Sequence, residues 1–125
     1  MIEALGGTTS DLVKLALDVS VLRHKVIANN IANANTIGFI PQRVSFEEYL
    51  SNVSSENVGQ LKLEIESLRG RLNNGELLHF SGADSVKLDM EMAKMAENVI
   101  RYQALLTGMN KHSSTVKLAI NEGRQ

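Results

Sequence analysis

Apolar residues recur every three or four positions at both ends of the chain. From Asp11 to Asn33 there is no glycine or proline, and Leu12, Leu15, Val19, Leu22, Val26, Asn29 and Asn33 follow a strict three-four alternation. Between Val86 and Asn121 only Gly108 intervenes, and Leu88, Met92, Met95, Val99, Tyr102, Leu106, Met109, Ser113, Val116 and Ile120 keep the same rhythm. A repeat of about 3.5 residues held this long predicts a left-handed coiled-coil seam. At about 1.5 Å per residue the last helix would run for roughly 50 Å. The natural arrangement within one chain is an antiparallel hairpin of the two seams. The expected fold class is therefore mainly α, two long terminal helices flanking a short irregular middle.

Too much apolar surface remains for that hairpin to bury. The first helix also carries Val13, Leu17, Val21, Ile27, Ala28, Ile31 and Ala32 off its seam, and the last carries Ala93, Ala96, Ile100, Ala104, Leu105, Leu118 and Ala119. A helix apolar on several faces is normally covered on several faces. Either the middle folds over these helices or other protein chains do. The scarcity of aromatic residues in the middle favours other chains, and with them terminal helices that order fully only on assembly.

The middle has its own signals. Gly38 can take the positive φ of a turn, and Pro41 bars immediate resumption of a helix. Ser45-Phe46-Glu47-Glu48 has the form of a capping box, which would open a short helix with Phe46, Tyr49, Leu50 and Val53 on one side. Leu61, Ile65, Leu68 and Leu72 recur at helical spacing, although Leu61–Ile65 also alternates as a strand would. Asn73-Asn74-Gly75 signals a turn, with Leu77–Phe80 extended after it. We read residues 1–125 as one unit: an N-terminal helix and lead-in over 1–35, a connector and middle over 36–85, and a C-terminal helix over 86–125. Two readings of the asparagine cluster stand side by side. Asn29, Asn30, Asn33 and Asn35 could simply end the first helix, or Asn29 and Asn33, at seam positions, could fix register and partner number.

Composition narrows the chemistry. Aromatic residues make up 4% of the 125, so any core must rest on aliphatic side chains and methionine. A net charge of −1 excludes nucleic-acid binding driven by a concentrated basic footprint. The absence of cysteine excludes disulfides, thiolate zinc sites and cysteine nucleophiles. His24, His79 and His112 are far apart, and no metalloprotease, phosphate-loop or nucleophile-elbow motif occurs. Asp89 and Glu91 read as favourable negative charge near a helix N-terminus rather than as a catalytic pair. Met92, Met95 and Met109 read as seam fillers, and the Asn52-Val53-Ser54 sequon as a chance match. No catalytic residue, metal ligand, cofactor or small-molecule substrate is expected. No apolar run reaches the length of a membrane span, and Met1–Ser10 lacks the basic and apolar regions of a cleavable signal peptide.

A resemblance enters with the longer motifs. Ala28-Asn29-Asn30-Ile31-Ala32-Asn33-Ala34-Asn35-Thr36-Ile37-Gly38-Phe39 resembles the N-terminal signature of bacterial flagellar axial proteins. That signature reads A-N-N-[IL]-A-N-x-[ND]-T-P-G-[YF]; its shared positions here include Asn29, Asn30, Ala32, Asn33, Asn35, Thr36, Gly38 and Phe39. The stretch from Val86 to Asn98, followed by Arg101-Tyr102-Gln103-Ala104, resembles the end of a proximal rod protein of the flagellar basal-body rod family, as does Arg43-Val44-Ser45-Phe46. Ile37 stands where that family has proline, Ser45 stands where aspartate is common, and residues 51–82 match nothing in it. The resemblance implies a structural subunit that polymerises helically into the drive-shaft rod, with the terminal helices as an inner coiled-coil tube. Its implied partners are itself, other rod subunits, base and ring components of the basal body, and the flagellar type III export apparatus, which needs no cleaved signal. The implied location is the periplasm-spanning rod of the basal body. A soluble helical adaptor or chaperone binding one partner is the competing expectation, and it would stop at a closed oligomer.

Overall fold

The computed structural model describes residues 2–50 and 57–123; side-chain burial is described from residue 6 onward, Val116 excepted. Val53 and the Asn52–Ser54 sequon lie outside the described residues. The elements in order are α1 (Ile2–Ala32), β1 (Gln42–Val44), α2 (Glu47–Leu50), α3 (Val58–Asn73), β2 (Leu78–Phe80) and α4 (Leu88–Gly123). The chain is mainly α, and α1 packs most extensively against α4.

The expected lead-in before Asp11 is itself helical, since α1 begins at Ile2. Gly6 and Gly7 lie inside it. A Cβ built on Gly6 would come 3.7 Å from the His112 imidazole, an ordinary contact distance, so α4 passes beside α1 here with room for a small side chain. The helix ends where expected. Phe39 N–H donates to Thr36 O (3.2 Å) across a turn whose third residue, Gly38, has φ +80°. That geometry favours proline at the second position. Ile37 occupies it with its side chain fully in solvent (101% exposed).

The middle is more ordered than expected. Leu61, Ile65, Leu68 and Leu72 do lie on a helix, α3, whose N-terminus is capped by the Asn57 side chain accepting from Gly59 N–H (2.9 Å). Its C-terminus closes with Gly75 N–H donating to Leu72 O (3.2 Å) and Glu76 N–H to Arg71 O (2.9 Å), Gly75 at φ +76°. This pairing satisfies the last carbonyls and is the Schellman arrangement. The chain then returns as β2, antiparallel to β1 with Gln42 opposite Phe80, Arg43 opposite His79 and Val44 opposite Leu78. Ser45 belongs to the end of this ladder, its N–H donating to Leu77 O (2.9 Å), and α2 follows it directly at Glu47.

One core cluster gathers these pieces. Leu15, Val19 and Val26 of α1 meet Val44, Phe46, Ile65, Leu68 and Leu77, with Leu12, Leu22, Leu61 and Leu72 packed around them. The first predicted seam is thus turned toward the chain's own middle. Aliphatic residues of α3 and the ribbon cover it, with Phe46 and Tyr49 as the aromatic contributions. Arg69 reaches Asp18 (2.9 Å), and the Arg71 guanidinium sits 4.9 Å from the Tyr49 ring centre, tying α3 and α2 to this layer. Amide exchange should accordingly be slow over Leu15–Ile27 and Ile65–Leu68 in the isolated chain, and fast beyond His112, where the described residues of α4 are exposed. Fast exchange across Leu15–Ile27 would contradict this packing.

Candidate assembly surface

α4 presents two heptad stripes that share three residues. The inner one, Glu91, Met95, Asn98, Tyr102, Leu105, Met109 and His112, contains every described α4 side chain that is buried or half-buried. The stripe expected from hydrophobicity shares Met95, Tyr102 and Met109 with it. Its other members, Leu88, Met92, Val99, Leu106, Ser113 and Ile120, lie on the exposed side. Val116 is on the same helix, its side chain outside the described residues. The expected hairpin of the two terminal helices is present; within it α1 turns Leu12, Leu15, Val19, Leu22 and Val26 to the core, while α4 turns six of the nine described positions of its hydrophobic stripe to solvent.

What α4 buries against α1 is polar. Ser20 Oγ donates to Asn98 Oδ1 (3.0 Å), and Asn98 Nδ2 donates back to Ser20 O (2.8 Å). Asn30 is 1% exposed and joins three elements. Its Nδ2 donates to Gln42 O (2.9 Å) and to Glu91 Oε2 (3.1 Å), and its Oδ1 accepts from Gln42 N–H (3.1 Å). Lys94 holds the other Glu91 oxygen at 3.2 Å. Asn30, grouped by sequence with the asparagines of the helix end and of the family-like motif, is instead a buried junction. Position 30 lies four residues after the buried Val26, and that spacing is the signal that places it inside.

Asn29 and Asn33 do something local. Asn33 Nδ2 donates to Asn29 O (2.8 Å), and the Thr36 hydroxyl donates to Asn33 Oδ1 (3.1 Å). These contacts are local to the helix terminus. Ala32, Asn35 and Gly38 are exposed, and Phe39 is half-buried.

Glu47 forms a second junction. It receives both Arg23 of α1, in a bidentate contact, and Arg101 of α4 (3.2 Å). Burial opposes its ionisation, but hydrogen bonds from Arg23 and its own backbone, with the charges of Arg23 and Arg101, hold the carboxyl below the ordinary range. A carboxyl lowered on folding stabilises the fold above its unfolded pKa and loses that contribution as pH falls through the folded one. With its side chain 57% exposed, solvent screening limits the contribution to about 0.5 kcal/mol. Glu47→Gln should therefore lower the melting temperature slightly at pH 7 and leave it unchanged near pH 2, compared by thermal melts; an equal deficit at both would exclude a charge effect.

On the opposite side of the α1–α4 contact, Val21, Val99, Tyr102 and Leu106 line an open cleft of about 470 Å³ rimmed by His24 and Lys25. The outer stripe continues from it along α4, with Val99 and Leu106 each 39% exposed and Met92 and Ile120 at half or more. Ile37, Ile40 and Phe80 add exposed apolar area at the ribbon end. Among the described residues no group of histidine, aspartate and glutamate is arranged to hold a metal, and no helix is long and apolar enough to cross a membrane.

The sequence profile described as "Flagella basal body rod protein" matches residues 22–39, the end of α1 and the turn after it. The chain is 30% identical to the flagellar basal body rod protein FlgB of Bacillus subtilis over 126 aligned positions, covering 94% of this chain and 96% of that protein. It is 29% identical to the FlgB protein of Proteus mirabilis, covering 86% and 90% of the two chains. With FlgB of Borrelia hermsii the identity is 28%, over 88% of this chain and 93% of that one.

Proposed function

Because the chain belongs to the FlgB family of flagellar basal body rod proteins, we propose that it polymerises with other rod subunits through the outer stripe of α4, as part of a helical drive shaft. Its class is structural, in a family of non-enzymatic rod proteins, and its place is the flagellar basal body. The observation that carries the finer reading is the bare apolar stripe from Leu88 to Ile120, which the chain's own fold leaves in solvent. Exposed apolar runs of this length mark contacts with other proteins. A repeat spaced for coiled-coil packing selects helices as those neighbours. Head-to-tail contacts of this kind leave an open assembly, unlike the closed dimer or tetramer of an adaptor. Delivery through the type III export apparatus, without a cleaved signal, and contact with the basal-body base and rings complete the proposal.

The test is structural. Basal bodies purified from cells carrying a tagged copy should hold the chain in the helical rod next to the base, and cells lacking it should build no rod. Complete rods in its absence, or a purified chain that stops at a closed dimer at all concentrations, would exclude this role.

A further inference from the structure

No described residue of α4 belongs to the core cluster or packs at its margin. The only two described α4 side chains that are buried are Glu91 (4% exposed) and Asn98 (5%), both polar and one heptad apart. Each has its own polar partner on α1, Asn30 and Ser20. Asn30 is also held independently of α4, because Gln42 bonds both ends of its amide.

We propose that Ser20–Asn98 and Asn30–Glu91 form a register lock, which sets the one axial position and rotation at which α4 seats on α1. The rest of the inner stripe specifies register less strictly. Met95, Tyr102, Leu105, Met109 and His112 are only half-buried, so a slip of one heptad exchanges their places without stranding a fully buried polar group. The polar pairs make the slip costly. A shift that brings Asn98 to Asn30 carries Leu105 to Ser20 and leaves that hydroxyl without its acceptor. The opposite shift sets the Glu91 carboxylate against Ser20 and withdraws it from Asn30. Either shift strands buried polar groups, and the penalty for an unmade bond exceeds the gain from a made one. Polar pairs at seam positions thus trade some stability for a single register. Rotation is set by the same pairs, and with it which α4 residues face outward.

The lock is a property of the chain alone, so its test stands apart from the rod proposal. The sequence has no cysteine. Gly6 faces His112, so Gly6→Cys with His112→Cys gives a reporter pair for a short bifunctional thiol reagent. A one-heptad slip displaces the pair by about 10 Å and takes it out of reach. In this background, Glu91→Leu with Asn98→Leu should keep the helical circular-dichroism signal while cross-linking falls about threefold or more. Glu91→Gln should retain the cross-link, because its amide oxygen still accepts from Asn30. Unchanged cross-linking in the double leucine variant overturns the lock. If that variant loses helix, Ser20→Ala with Asn98→Leu, which removes both halves of one pair, is read in the same way: reduced cross-linking supports the lock and undiminished cross-linking overturns it.

Discussion

Val99→Asp and Leu106→Asp leave the isolated subunit folded and abolish its incorporation into rods. Both side chains are 39% exposed and lie outside the core cluster, so a charge there remains hydrated in the free chain. Substitutions of this kind normally change folding stability by no more than about 0.5 kcal/mol. Once a neighbouring helix covers the stripe, the carboxylate is desolvated without a partner, at a cost of several kcal/mol by the general penalty for burying an unpaired charge. The expected result is normal thermal melting, normal export of the chain, no rod and no motility. Motile cells with either substitution would show that α4 meets its neighbours along another face.

Leu15→Ala has the opposite profile. Leu15 is 0% exposed and sits in the cluster with Val19, Ile65, Leu68 and Leu77. Removing a buried leucine side chain loses its transfer energy and leaves a cavity, together worth about 2–5 kcal/mol. In a small domain of marginal stability this is enough to depopulate the folded state at growth temperature. Chemical denaturation of the purified variant should show the loss directly, with assembly failing only as a consequence. A change below about 1 kcal/mol would mean that α1 is not held by the middle in the way described. The three substitutions together separate the face of α1 that stabilises the chain from the face of α4 proposed to meet its neighbours.

Local elements were readable where a residue type has one physical use. Gly38 and Gly75 mark turns because they supply the positive φ that other side chains resist, and both adopt it here. The spacing of Leu61, Ile65, Leu68 and Leu72 marks α3 because only a helix aligns those four positions. The capping box at Ser45 was less informative. Ser45 N–H is bonded to Leu77 O, a partner 32 residues away that no local pattern reveals. The Asn29–Asn33 pair makes contacts local to the helix end, whereas the buried role of Asn30 depends on Gln42 and Glu91, which come from two other elements.

From the amino-acid order alone followed the two long helices, the stop between them, the absence of catalytic groupings, and the family resemblance carried by residues 28–39. Each of these rests on interactions within a few turns of chain or on the residues themselves. The tertiary structure decided which face of each helix points where. On α4 two heptad stripes share Met95, Tyr102 and Met109, and hydrophobicity favours the one with Leu88, Met92, Val99 and Leu106. The fold buries the other, because Glu91 and Asn98 find partners on α1 that satisfy them, and a satisfied polar group can be buried at little cost. The more apolar stripe is left outside, in solvent. Periodicity reports that a helix has an apolar face, but only the positions of complementary polar groups across the fold determine whether that face is turned inward or held out for assembly.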